Sequence, residues 1–204
     1  MLEDLLTTAG VSFAALFPIV NPLSTVPVFH TLSAHMSDER RHSEARKAAL
    51  ATFLILTVFL FVGRFVLDFF GISLPALEVA GGLVVGYAAW QMITVGVAAP
   101  PAADEDEHAS IYMSPITMPL QAGPGALGVT LGLATRHENV GHYLGNVIGI
   151  AAIALVSLVL LLHGGRPMRL LGRGGMDALV RTLGLIVLAI AVELVYHGVT
   201  AADL

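Results

Sequence analysis

Two stretches, F-P-I-V-N-P-L-S-T-V-P from Phe17 to Pro27 and S-P-I-T-M-P-L-Q-A-G-P from Ser114 to Pro124, decide how this chain is read. Pro18, Pro22 and Pro27 return as Pro115, Pro119 and Pro124, and Ile19 and Leu23 return as Ile116 and Leu120, every pair 97 residues apart. Each proline removes a backbone N–H and clashes with the carbonyl one turn back, so neither stretch can be a continuous helix. Both lie inside long apolar segments. In hydrocarbon the freed carbonyls need partners, so non-helical backbone is tolerated there only where it is buried in protein or lines a polar cavity.

The surrounding composition is that of a bilayer protein. Of 204 residues 56% are hydrophobic and 12% charged, with a mean hydropathy of +0.82, where a soluble domain carries about 25% charged residues. Ten Lys and Arg and a net charge of -5 supply no basic patch, which excludes nucleic acid as a partner. The absence of cysteine excludes disulfides, thiolate metal sites and Cys nucleophiles.

Six spans of about 20 residues fit the chain. The first covers 5–34 with its proline break, the second 48–67, the third 74–99, the fourth 113–135 with the second break, the fifth 143–162 and the sixth 179–199. Glu3 and Asp4 stand where a cleavable signal needs positive charge, so the N-terminus is expected to begin the first span directly. Eight of the ten cations (Arg40, Arg41, Arg46, Lys47, Arg166, Arg169, Arg173 and Arg181) fall on one side, against Arg64 and Arg136 on the other. The positive-inside rule then places the eight in the cytoplasm and both termini outside.

Three spans per half is an odd number, so a repeated half must insert upside down. A second register supports the repeat at an offset of 102: Gly82 with Gly184, Leu83 with Leu185, Val85 with Val187, Ala89 with Ala191, Gln91 with Glu193 and Gly96 with Gly198. The expected fold is therefore an all-α membrane protein, six transmembrane helices as two inverted three-helix repeats, with helices 1 and 4 broken at the proline motifs. Residues 1–99 form the first repeat, 100–112 an acidic cytoplasmic linker holding Asp104 to Glu107, and 113–204 the second repeat.

Paired broken segments in corresponding positions of inverted halves point to a transporter's binding site. The side chains there are neutral hydrogen-bonding groups: Asn21, Ser24 and Thr25 beside Pro22 in the first break, and Ser114, Thr117 and Gln121 in the second. Gly123 and Gly125 allow close backbone approach. Such a set suits a small polar or zwitterionic solute. Glu193, about two-thirds through the sixth span, is a carboxyl at membrane depth and so a functional candidate for carrying a proton or ion, together with its repeat equivalent Gln91. The competing reading is an interfacial glutamate near Tyr196 and His197 that reaches water. Glu78, nearer a span end, is expected at the interface, and Arg64 and Arg181 to snorkel to theirs.

His137 and His142 in H-E-N-V-G-H are five residues apart, which turns them away from one helix face and from zinc-protease geometry. No metal or other cofactor is expected beyond a coupling Na+ or H+. No nucleophile elbow, P-loop or deaminase signature occurs, so no enzyme reading arises.

With these residues in view, the two proline motifs resemble the MarC family of bacterial and archaeal inner-membrane proteins, related to neutral amino acid transporters and the broader LysE-type exporters. The resemblance covers essentially the whole chain. It implies six spans and, by its transporter members, ion-coupled uptake or exchange of small neutral amino acids such as glycine and alanine. The expected partners are the lipid bilayer and a small polar solute, with a homo-oligomer left open. The rival readings are a non-transporting sensor or scaffold and a passive small-solute channel.

Overall fold

The protein is described by a computed structural model over residues 2–96, 110–135 and 140–202. The acidic run Asp104 to Glu107, with Arg136 and His137, lies outside the described residues. Eight helical segments follow one another: α1 (Leu2–Val20), α2 (Pro22–Leu32), α3 (Asp38–Phe70), α4 (Leu74–Thr94), α5 (Tyr112–Gln121), α6 (Pro124–Thr135), α7 (Val140–His163) and α8 (Gly165–Ala202). No strand occurs among the described residues. Five, α1, α3, α4, α7 and the part of α8 from Gly174 to Ala202, are long and apolar enough to cross a membrane.

Local chemistry sets the boundaries. The Oγ of Ser37 accepts from the Arg40 N–H and that of Ser73 from the Ala76 N–H, each at 3.3 Å, capping α3 and α4. Gly71, at φ 64, ends α3 in the left-handed conformation that glycine adopts without penalty. At 33 residues α3 is about 50 Å long, well beyond the roughly 30 Å hydrocarbon core. Its first turns, carrying Arg40 to Lys47, therefore extend past the apolar portion.

Asn21 separates α1 from α2. It sits at φ 43, ψ 62, the one left-handed non-glycine residue among those described. The residue before a proline is driven out of the α region, and asparagine tolerates the left-handed alternative better than other side chains. In α5 the same rule acts twice: Ser114 (φ -128, ψ 127) and Met118 (φ -114, ψ 124), each before a proline, are extended. Around each of them the turn is widened, with the Ile116 N–H donating to the Ile111 carbonyl across Ser114 and the Ala122 N–H to the Thr117 carbonyl across Met118, five residues back. In α8 the helical path bends at Gly172, φ 63.

Helix packing relies on glycine where backbones meet, as expected when apolar lipid offers no hydrophobic drive to association. A Cβ on Gly149 would lie 2.7 Å from the Ser12 Cβ and 2.8 Å from the Ala9 carbonyl, so α7 runs directly against α1. The antiparallel α4–α8 pair shows a further regularity. A Cβ on Gly82 would meet the Ala191 carbonyl and Val195, whereas one on Gly184 would meet the Ala89 carbonyl and Ile93. Likewise Gly198 faces Pro75 and Val79, and Gly96 faces Asp177 and Arg181. Adding 102 to each α4 position in these contacts gives its α8 counterpart, so the interface is reciprocal, and Val85, Ala89, Val187 and Ala191 form one buried cluster at its centre.

Substituting leucine at Gly82 should separate the two helices, because its Cβ alone would sit 2.8 Å from a backbone carbonyl that cannot step aside. The expected cost is about 2–4 kcal/mol. Thermal unfolding of the detergent-purified variant is the check, with an unchanged transition refuting the close approach.

Elsewhere the surface is apolar. Phe65, Phe69, Phe70, Leu83 and Trp90 are all largely exposed, far more contiguous apolar area than water tolerates and what a bilayer requires.

Candidate functional site

A cavity of about 410 Å3 opens where the two proline-interrupted segments approach each other. The first contributes Pro18, Ile19, Asn21 and Ser24, the second Pro119 and the run Gly123–Ala126, and α4 and α8 close it with Val85, Gln91, Met92 and Val187. The first turns of α2 and α6 therefore both line the cavity. Helix N-termini carry N–H groups without intrahelical partners and a positive dipole end. Among the described residues, no acidic or basic side chain lines it.

Asn21 organises the first wall. Its Oδ1 accepts from the Ser24 N–H at 3.3 Å, its Nδ2 donates to the Met92 sulfur on α4 at 3.2 Å, and its carbonyl accepts from the hydroxyls of Ser24 and Thr25 at 3.1 and 3.2 Å. The break is thus stitched to the helix it begins and to the opposite wall. Gly125 serves the second wall, since a Cβ there would run into the Val85 side chain of α4.

The residues expected at the site divide. Asn21, Ser24, Gly123, Gly125 and Gln91 line the cavity. Pro22 and Thr25 are buried behind it. Thr117 is buried and donates to the Tyr112 carbonyl at 2.7 Å, spanning the widened turn, and to the Ala48 carbonyl at 3.3 Å. Ser114 is exposed away from the cavity. Gln121 is fully buried: its Oε1 accepts from Thr52 Oγ1 at 2.8 Å and its Nε2 donates to Ser157 Oγ, which ties α5 to α3 and α7. Both ends of this amide are satisfied by protein, which makes it a pin between helices. Glu193 is off the cavity on the outer face of α8, 68% exposed, with its Oε1 3.1 Å from Nε2 of His197.

Two polar groups carry more structure than their sequence context suggests. Glu44, within the charged beginning of α3, has a side chain only 4% exposed. Its Oε2 accepts from the Ser110 hydroxyl at 2.9 Å, the Ile111 N–H at 2.8 Å and the Tyr112 N–H at 2.9 Å, while Oε1 is 3.3 Å from the Lys47 ammonium. It caps α5 from another helix, where Ile111 makes no capping bond through its own side chain. In sequence it stands among Asp38, Glu39, Arg40 and Arg41, with no local pattern to set it apart. Arg181 holds Asp177 at 2.6 Å and donates to the Ile93 carbonyl, so it neutralises the negative end of α4 beside Gly96; snorkelling alone does not describe it.

An all-helical chain with several apolar spans and an uncharged cavity between interrupted helices is a multi-pass integral membrane protein. It belongs to the MarC family of integral membrane proteins, whose profile matches residues 6–202. It is 32% identical to the membrane protein YvbG of Bacillus subtilis (strain 168) over 192 residues, 91% of each chain. It is 31% identical to the inner membrane protein MarC of Salmonella typhimurium (strain LT2) over 211 aligned positions, 96% of each chain, and equally so to that of Escherichia coli O6:H1. No solved structure matches it.

Proposed function

We propose that this protein is a secondary transporter of small neutral amino-acid-like solutes, of glycine or alanine size, driven by a Na+ or H+ gradient through alternating access. The observation that carries this reading is the cavity itself, bounded by both proline-containing segments and lined mainly by apolar side chains, with the amides of Asn21 and Gln91 and the Ser24 hydroxyl among them and no charged side chain among the described lining residues. A zwitterion carries its own two charges and needs dipoles rather than ions opposite them. Its carboxylate suits the first turns of α2 and α6; its ammonium suits the side-chain oxygens of Asn21, Ser24 and Gln91. The volume lies near the lower end of the roughly 300–1,000 Å3 typical of small-molecule sites.

The proposed architecture is two inverted halves, α1–α4 and α5–α8, with α1–α2 and α5–α6 each making one crossing. α5 and α6 contain 10 and 12 residues, together close to the roughly 20 that one crossing takes. The reciprocal glycine contacts of α4 and α8 favour this reading, since positions exchanged by a two-fold axis must meet in pairs. So does the exchange of partners, with α1 packed on α7 and α6 on α3. In this arrangement both termini are outside and Arg40 to Lys47 face the cytoplasm. Because Glu193 is off the cavity, Gln91 is the side chain of the expected pair placed to sense a coupled cation.

Reconstitution tests the proposal. Purified protein in liposomes is expected to accumulate labelled glycine or alanine when a Na+ or H+ gradient is imposed, with saturable uptake. Flux that rises linearly with solute would identify a passive channel instead, and no flux of any small amino acid would favour a sensor or scaffold.

A further inference from the structure

The exposed side of α3 carries an apolar stripe with a cationic foot. Between Ala48 and Leu60 the exposed positions are Leu50, Leu54 and Val58, four apart, and Phe61 and Phe65 continue the stripe. Residues four apart lie one above another on an α-helix, so the series climbs one face. Arg46, also exposed, is the next step below Leu50, and Lys47 stands beside it. These are the last two charges before an apolar run that holds none until Arg64, which sets them at the boundary where hydrocarbon gives way to headgroups.

The cations of this segment differ in what they hold. Arg41 is bonded to Asp38 at 2.6 Å. Lys47 lies 3.3 Å from the Glu44 carboxylate and 5.6 Å from the centre of the Tyr112 ring on α5, yet its side chain stays 52% exposed. Glu44 is itself buried, and its other oxygen is taken by the three donors at the start of α5. Arg46 has no ion pair and no side-chain hydrogen bond among the described residues. Two cations against one buried carboxylate leave the foot of the stripe net positive.

We propose that this face of α3 binds an anionic phospholipid, whose phosphate is held by Arg46 and Lys47 while an acyl chain lies along Leu50, Leu54 and Val58. A guanidinium presents a planar fork that two phosphate oxygens accept from, and an ammonium adds a point charge beside it. The apolar stripe alone could not choose among lipids, because every acyl chain suits it. The cations make the choice: a zwitterionic headgroup would bring its own ammonium against two positive charges, whereas an anionic one brings none. This inference does not depend on the transport reading.

The test is a titration of the detergent-purified protein with phosphatidylglycerol or phosphatidylcholine of identical acyl chains, the bound lipid being counted by native mass spectrometry. Phosphatidylglycerol is expected to bind about tenfold more tightly or better. Arg46→Gln breaks no contact within the protein and should weaken that binding about fivefold, as should Lys47→Gln. Arg41→Gln removes the same charge from a guanidinium already paired with Asp38 and should leave the preference unchanged. Inorganic phosphate at the lipid's concentration should not displace the lipid, because it has no chain to lie on the stripe. Equal binding of the two lipids, an undiminished preference in Arg46→Gln, an equal loss in Arg41→Gln, or displacement by inorganic phosphate would each overturn the proposal.

Discussion

Asn21→Gly is expected to leave the protein folded and, under the proposed transport function, to reduce solute flux about tenfold or more. The backbone at position 21 is left-handed at φ 43, which glycine adopts without penalty, so the α1–α2 break survives. What disappears is the amide that holds the Ser24 N–H and the Met92 sulfur and faces the cavity. Losing a hydrogen-bonding group from a desolvated site costs about 1–3 kcal/mol, or roughly 5- to 150-fold in affinity. Asn21→Ala should do worse, because the left-handed conformation costs a Cβ-bearing residue about 1–2 kcal/mol more. Initial uptake rates in proteoliposomes, normalised to folded protein, provide the comparison. Equal uptake by Asn21→Gly and the unsubstituted protein would remove Asn21 from the site. Gln121→Ala should behave differently, since its amide faces Thr52 and Ser157 rather than the cavity: stability falls first, and flux only with it.

The second large effect belongs to Glu44. Glu44→Ala removes the acceptor of two successive backbone N–H groups and a hydroxyl in a partly buried site. Buried donors left without acceptors cost about 1–3 kcal/mol each, partly relieved if α5 unwinds. A net loss of roughly 2–4 kcal/mol is expected, seen as a fall in thermal midpoint of about 5–15 °C. Glu44→Gln should fall between, because the amide keeps one accepting oxygen but gives up the charge facing Lys47. The exposed Lys47 end of the pair contributes little by itself, so Lys47→Ala should shift the midpoint much less. A Glu44→Ala protein as stable as the parent would show that α5 does not need this cap.

How much of this was legible beforehand depends on the length scale of each interaction. The helical class was a local matter of apolar runs long enough to span a bilayer; the prolines only bias the residue before them away from the α conformation, as at Asn21, Ser114 and Met118, while Pro18 and Pro27 lie inside α1 and α2. The helix boundaries were less legible. The second apolar run begins near Ala48, yet α3 starts ten residues earlier at Asp38, because Ser37 caps it and the charged turns remain helical beyond the apolar portion. Similarly, Gly165–Ala202 is one path with a bend at Gly172, where only 179–199 reads as apolar span. The site was legible as a neighbourhood. Asn21, Ser24, Gln91, Gly123 and Gly125 line the cavity, while Thr117 and Gln121, just as polar and just as close to a proline in sequence, turn inward to helix partners 69 and 36 residues away.

Taken by itself, the sequence determined apolar runs that offer no soluble surface, and prolines that weaken the helix around them without deciding where it departs: Pro18 and Pro27 stay inside helices, while the backbone turns left-handed at Asn21. These are steric and solvation constraints carried by single residues and their neighbours. Only the tertiary structure decided which way the polar groups near the prolines face. Whether an amide faces a cavity or another helix, and whether Glu44 is a solvated charge or the cap of a helix almost seventy residues away, depends on which backbone lies opposite. That is fixed by the packing of glycine against carbonyl across α1–α7 and α4–α8, and chain-distant contacts of this kind leave no mark on local composition.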